Sequence, residues 1–417
     1  MLTSRIPKSL FAFVTIMLLT VSHSDGGKPL KIYIMAGQSN MEGHAHARVL
    51  DYLGDDPATS DLLKQIKADD GSYRLVPNTW ISYLTGTGGR IDGGNQEING
   101  QLTVGFGSQG GRKPGEPGEK FGPELAFGIT MQNNLHEPIL IIKTAWGGQS
   151  LHTDYRSPSS GPYEKTESNA KRFETEEKRQ ELKEKTGRRY RQMIEHVQNV
   201  LGDLQRVCPD YDAKQGYELA GFVWFQGFND MVDRNTYPNR EQPGGYDLYK
   251  NWLANLIRDL RTDLNAPDLP IVIGVMGVGG PIQDGEERKR AAHREFRSAM
   301  SAPASMSEFA GSVVAVPTAP FWDSALAAID AKRGQIGGKR NALRKKHPKH
   351  ENADGKLTQK EIQKIVADFE AELLTEQELE LEKRGKSNAG YHYLGSAKTF
   401  SQIGVAFAEA LQGLGVQ

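Results

Sequence analysis

Five short stretches of the chain are apolar at consecutive rather than alternate positions: residues 32–35, 139–142, 219–225, 271–276 and 313–316. Each is rich in β-branched residues, which predicts strands buried on both faces. Between them, residues 251–260 (NWLANLIRDL) and 195–204 repeat their apolar positions with helical period. Strands separated by amphipathic helices predict an α/β protein, a three-layer α/β/α domain around a mostly parallel sheet. That domain is expected to span residues 25–417 and to carry helical and loop insertions.

Three stretches break the pattern. Residues 85–120 contain GTGGR, DGGNQ and SQGGRKPGEPGEK, a composition that predicts surface loop. Residues 164–191 are densely charged and predict one or two solvated helices. Residues 331–388 predict a helical insert, with Thr358 and Glu361 as a capping box opening a helix that runs to Glu382. The same insert places Asn352, Asp354, Gly355 and Glu361 at calcium-loop spacing. Its first position is His350 instead of a carboxylate, and the capping box already explains Glu361.

The first residues change where the protein is expected to work. Arg5 and Lys8 precede an apolar run over residues 10–21, and Ser22 and Ser24 follow as small residues at a cleavage point. This reads as a signal peptide over residues 1–24 and predicts a secreted or periplasmic protein. The run is shorter than the about 20 residues that span a bilayer, so no membrane span is expected in the mature chain. Lys plus Arg number 51 against 52 Asp plus Glu, a net charge of −1, which argues against a nucleic-acid partner. Cys208 is the only cysteine, so no intramolecular disulfide can form, and a structural thiol is the expectation. The ten histidines show no HExxH or Cys–His cluster, so no metal site is predicted. His44 and His46, two apart after the first strand, read as the start of a metal site, as substrate contacts or as a polar loop pair. No GxGxxG follows the first strand to hold a dinucleotide.

The chemistry concentrates at strand ends. The first strand runs out into MAGQSNMEGH, residues 35–44, which sets Ser39 where α/β folds present catalytic groups. Gly37 allows a sharp exit from the strand. IIKTAWGGQSLH (141–152) ends a second strand in Gly147 and Gly148, and GFVWFQGFNDM (221–231) ends a third in Gln226, Gly227, Asn229 and Asp230. Three strand ends are thereby expected to converge on one pocket.

With these segments the chain resembles the SGNH hydrolase superfamily, and within it the sialate O-acetylesterase-like carbohydrate esterases of family six and relatives. The resemblance implies that Ser39, in GQSNM, is the nucleophile. It implies oxyanion donors from the Ser39 amide, from Gly148 in WGGQS (Gly147 being the neighbouring alternative) and from Asn229 in GFND. It implies His392, in GYHYLGSAKTFSQIG, as general base. The motifs are spread over residues 31–408, nearly the whole mature chain. The implied activity is hydrolysis of acetyl esters on sugars or polysaccharides through an acyl-enzyme, with no metal or organic cofactor and an acetylated carbohydrate as partner.

Two positions depart from the family pattern. An aspartate normally stands three residues before the histidine; here that residue is Ala389, and Asn388 is the nearest polar group. Where the esterase branch commonly has WxQGE, this chain has Phe228 at the glutamate position. Asp230 is therefore the candidate orienting acid and Asp323 the second, with a backbone carbonyl holding the imidazole as a further option. Gln38, Gln226, His152, Trp146 and Tyr391 are candidates for substrate contact, along with Trp322 and Tyr393, while Trp224 lies within a strand and belongs more naturally to the core. Arg48 and Arg90 suit either an anionic sugar or plain surface. The alternative function is a non-catalytic or weakly active carbohydrate-binding protein with an eroded esterase site.

Overall fold

The computed structural model describes residues 28–86, 94–108, 118–163, 165–167 and 170–415. The expected signal peptide and Arg90 lie outside the described residues. The five apolar runs form strands, joined by two more: β1 (Leu30–Gly37), β2 (Thr79–Gly86), β3 (Asn95–Gln101), β4 (Ile139–Ala145), β5 (Tyr217–Phe225), β6 (Ile271–Val275) and β7 (Val313–Pro317). They make one sheet in the order β3-β2-β4-β1-β5-β6-β7, parallel throughout except for β3 on the edge.

Central β1 is buried along its whole length because helices cover both faces. On one face, Phe127 of the helix Pro123–Leu135 packs on Tyr33 with ring centroids 5.4 Å apart. Phe407 of the helix Ala397–Gly413 packs there on Phe225, also at 5.4 Å. Those two helices touch where Gly404 sits, since a Cβ there would lie 2.3 Å from the Pro123 carbonyl oxygen. Arg188–Gly202, Asp247–Asp263 and Ala291–Ser301 cover the other face. The architecture is the predicted three-layer α/β/α.

The two further strands of this sheet lie in and before the glycine-rich region, where surface loop was expected, and the two-residue strands Ala45–His46 and Lys120–Phe121 pair separately. Residues 95–101 (NQEINGQ) have no strand-like composition, but antiparallel pairing with β2 satisfies their backbone. This is tertiary pairing overriding local propensity. In the charged region, Glu176–Lys185 is a helix with no buried residue. The helical insert begins at Ser324 and contains three helices, Ser324–Arg344, Gln359–Leu373 and Glu376–Gly385. The single helix expected from Thr358 to Glu382 is thus two, because Leu374 turns inward and Thr375 opens a second capping box with Glu378. Ile329, Ile336, Leu343, Ile362, Val366 and Leu374 give the insert a small apolar cluster of its own. Cys208 is buried, which pushes its thiol up to about 12. Among the described residues no helix is long and apolar enough to cross a membrane.

Candidate active site

Gly37 ends β1 because nothing larger fits: a Cβ there would lie 2.1 Å from the Phe225 carbonyl oxygen on β5. The chain then enters the short helix Ser39–Glu42, with Ser39 at its first position, where no intrahelical acceptor claims its amide. Gln38 ties the neighbouring strand end to this one. Its side-chain oxygen accepts from the Gly227 amide at 3.0 Å and from Gln226 Nε2 at 3.2 Å, while its nitrogen donates to Asn229 Oδ1 at 3.1 Å. With its oxygen thus committed, Asn229 turns its NH2 toward β4's exit, where it donates to the Gly148 carbonyl at 2.9 Å. An amide nitrogen has two hydrogens, so one remains for a substrate oxygen.

Gly148 adopts φ of 71°, which favours glycine. Beside it, a Cβ on Gly147 would stand 2.9 Å from Glu42 Oε2 and 3.9 Å from Ser39 Cβ, which places this loop against the serine. Asp230 shapes the same loop from beneath. One oxygen accepts from the Leu151 amide at 2.8 Å and Gln226 Nε2 at 2.7 Å, the other from the Tyr237 hydroxyl at 2.9 Å and the His152 amide at 3.2 Å.

His392 arrives from the far end of the sequence on the tight turn Gly390–Gly395. Tyr393 and Leu394 have φ of 50° and 61°, a left-handed conformation costing about 1–3 kcal/mol each. Burial of the Tyr393 side chain offsets this. Its hydroxyl accepts from the Gly277 amide at 2.7 Å and bonds Thr318 Oγ1 at 2.7 Å. Two contacts press the turn onto the serine's helix. Asn40 Nδ2 donates to the Tyr391 carbonyl at 3.2 Å, and the His44 and His392 rings stack with centroids 3.8 Å apart and planes 6° from parallel. Burial, then His44 and Lys120, pushes His392 down to about 3, so its imidazole is neutral at ordinary pH.

The structure does not bring the expected acids to that ring. The bonds of Asp230 go to Leu151, His152, Gln226 and Tyr237, and Asp323 accepts from the Tyr52 hydroxyl at 2.9 Å and caps Leu326 at 3.1 Å. The partner of His392 Nδ1 is Asn388 Oδ1, at 3.0 Å. Sequence reasoning passed over Asn388 because it carries no charge, although its place four residues before the histidine was visible.

The candidates for substrate contact separate by exposure. Gln38, Gln226 and Trp146 are walled in, with Trp146 Nε1 bonded to Asn95 Oδ1 at 3.1 Å and Arg189 over its ring. Trp224 is fully buried core, and Trp322 is half-buried. His152 is largely buried, with Nε2 3.2 Å from Asp233 Oδ2. Tyr391 is 50% exposed, its ring 4.5 Å from His392 and 6.0 Å from Phe228. Arg48 spends its guanidinium on the carbonyls of Lys383 and Lys386, at 3.0 and 2.8 Å. An open cleft of about 620 Å³ reaches Asn388 and Ala389 from the helical insert, between Arg48, Lys383 and Asp330. His46 turns away from His44, with Nδ1 accepting from the Arg48 amide and Nε2 3.3 Å from Glu119.

Residues 109–306, just under half of the chain, match the family model described as carbohydrate esterase, sialic acid-specific acetylesterase. Over those residues the chain is similar to carbohydrate esterases. Among solved structures, this esterase-like chain is similar to a protein from Arabidopsis thaliana at 19% identity and TM-score 0.35, covering 70% of this chain and 86% of that one. It is similar to a carbohydrate acetylesterase from Xanthomonas citri at 15% identity and TM-score 0.39, covering 69% and 49%. It is also similar to NanS at 14% identity and TM-score 0.33, covering 70% and 78%. No curated protein matches it in sequence.

Proposed function

We propose that this protein is a serine-dependent carbohydrate O-acetylesterase that works through an acyl-enzyme. The observation that supports the reading is the meeting of the β1, β4 and β5 exits through Gln38, Asn229 and Gly148 beside Ser39, with the His392 turn packed on the Ser39–Glu42 helix through Asn40 and Tyr391. In this mechanism Ser39 Oγ attacks the acetyl carbonyl as its proton passes to His392 Nε2. Negative charge developing on the carbonyl oxygen meets the Ser39 and Gly148 amides and the second Asn229 hydrogen. Collapse breaks the bond to the sugar oxygen, which leaves with the proton from His392. Water, deprotonated by the same imidazole, then releases acetate and restores the serine. The open Tyr391 ring beside His392 suits the apolar face of a sugar. Export, expected from residues 1–24, suits a substrate outside the cytoplasm.

A second reading, a carbohydrate-binding protein with an eroded esterase site, draws on the amide in place of a carboxylate behind His392. Acetate release from a panel of acetylated polysaccharides, by the mature protein and by Ser39→Ala, separates the two. Release that disappears in the variant is the expected result. A folded protein that matches its Ser39→Ala variant on the panel and on an activated acetyl ester would be a binding protein.

A further inference from the structure

The polar groups behind His392 form a single file that ends on a carboxylate. Asn388 sets its direction. Its Oδ1 accepts from the Ala389 amide at 2.8 Å, a donor that only an oxygen can meet, so the side-chain amide has one orientation. The same oxygen lies 3.0 Å from His392 Nδ1. That nitrogen therefore carries the ring proton, and the lone pair sits on Nε2, the tautomer a general base toward Ser39 needs. Asn388 Nδ2 lies 3.4 Å from His44 Nδ1. An amide nitrogen only donates, so His44 holds its lone pair on Nδ1 and its proton on Nε2. His44 Nε2 is buried without a hydrogen-bond partner, and Glu42 Oε2 is 3.8 Å from it. Thr85 steadies Glu42 by donating to its other oxygen at 3.1 Å.

We infer that Glu42, His44 and Asn388 together stand in for the missing triad carboxylate. This rests on the esterase reading above. When His392 takes the Ser39 proton, its new positive charge faces Asn388 Oδ1. The pull of His44 Nδ1 on the Asn388 NH2 makes that oxygen a stronger acceptor, and Glu42 polarises His44 in the same sense through Nε2–H. No proton leaves any of the three, so they are positioning residues, and the stacked His44 ring also fixes the plane of His392. Glu42 and His44 lie within five residues of Ser39 in SNMEGH, so one segment supplies both the nucleophile and the distant charge.

The test measures kcat and KM on an activated acetyl ester for Glu42→Gln and for His44→Phe, which keeps the stack. Each is made in the unaltered chain and in Asn388→Asp, which sets a carboxylate directly on His392 Nδ1. Each is expected to lower kcat ~10-fold with KM within about twofold, and to cost only about twofold in the Asn388→Asp background, because the direct charge makes the distant one redundant. No loss in the unaltered chain, or the same loss in both backgrounds, overturns the inference. Imidazole 15N spectra of the unaltered protein are an independent check, with His392 expected as the Nδ1–H tautomer and His44 as Nε2–H. Any other pair overturns it. The expected tautomers without Ser39-dependent hydrolysis would instead overturn the esterase reading, and the catalytic role with it.

Discussion

Ser82 bonds a histidine ring directly while Ser39 is the candidate nucleophile, and the serine with the better bonds is the less suited to catalysis. In the sheet interior, Ser82 Oγ lies 3.0 Å from His196 Nε2 and donates to Glu97 at 2.7 Å, while Arg206 holds Glu97 at 2.9 Å. By residue type that is a complete serine, histidine and acid. Yet Ser82 sits within β2 with no exposed surface, and no glycine loop offers amides around it. At the candidate site His392 has only an amide behind it, but Ser39 stands at the carboxyl end of the central strand, where glycine loops lie beside it. Position at the carboxyl end of a strand and nearby donors, more than the list of residues, make a nucleophile usable.

That comparison can be broken by mutation. Ser39→Ala or His392→Ala is expected to lower turnover about 10⁴-fold. Ser82→Ala, in contrast, should leave turnover within about twofold while lowering the melting temperature, since it frees buried polar groups of His196 and Glu97. Steady-state kinetics beside thermal unfolding reads both, and a loss of turnover in Ser82→Ala at full folding would reverse the assignment. Next in size is Asn229→Ala, expected to lower kcat about 100- to 1000-fold through loss of an oxyanion donor. Much of that loss would appear as a slower first acyl transfer in a burst experiment.

The two histidines also titrate in ways that sharpen the contrast. His392 is held down to about 3, so the base form persists as pH falls. The acid limb of kcat/KM is expected below pH 5, where an unperturbed histidine would give one near about 6.5. A rate profile over the pH range in which the circular dichroism stays native measures this. The smallest effect belongs to His196, lowered to about 4 chiefly by burial, with Glu97 opposing and Arg206 adding to the shift. Below its unfolded value of about 6.5 the unfolded chain takes up a proton that the native chain refuses, so stability falls as pH drops toward 4. His196→Gln should flatten the dependence of denaturant midpoint on pH between 6.5 and 4, with no change in the rate profile.

The chain's own order of residues determined the layered fold, because strands buried on both faces must be apolar at every position, and that signature survives without any knowledge of neighbours. The same order placed Ser39, Gly148 and Asn229 in short segments at strand ends, since glycine and side-chain amides there have few structural alternatives, and it singled out His392 near the carboxyl terminus. It also marked the capping box at Thr358, whose bonds are local. It could not reveal β3, which is a strand only because β2 lies beside it. Nor could it say that Asp230 is absorbed in shaping the β4 loop, while Asn388 faces the imidazole and Gln226 and Trp146 are sealed away from substrate. Except for the Asn388–His392 bond, which spans four residues, those are outcomes of packing between segments far apart in sequence. A carboxylate's partner is whichever donor the fold brings within about 3 Å, and that distance is set by tertiary structure alone.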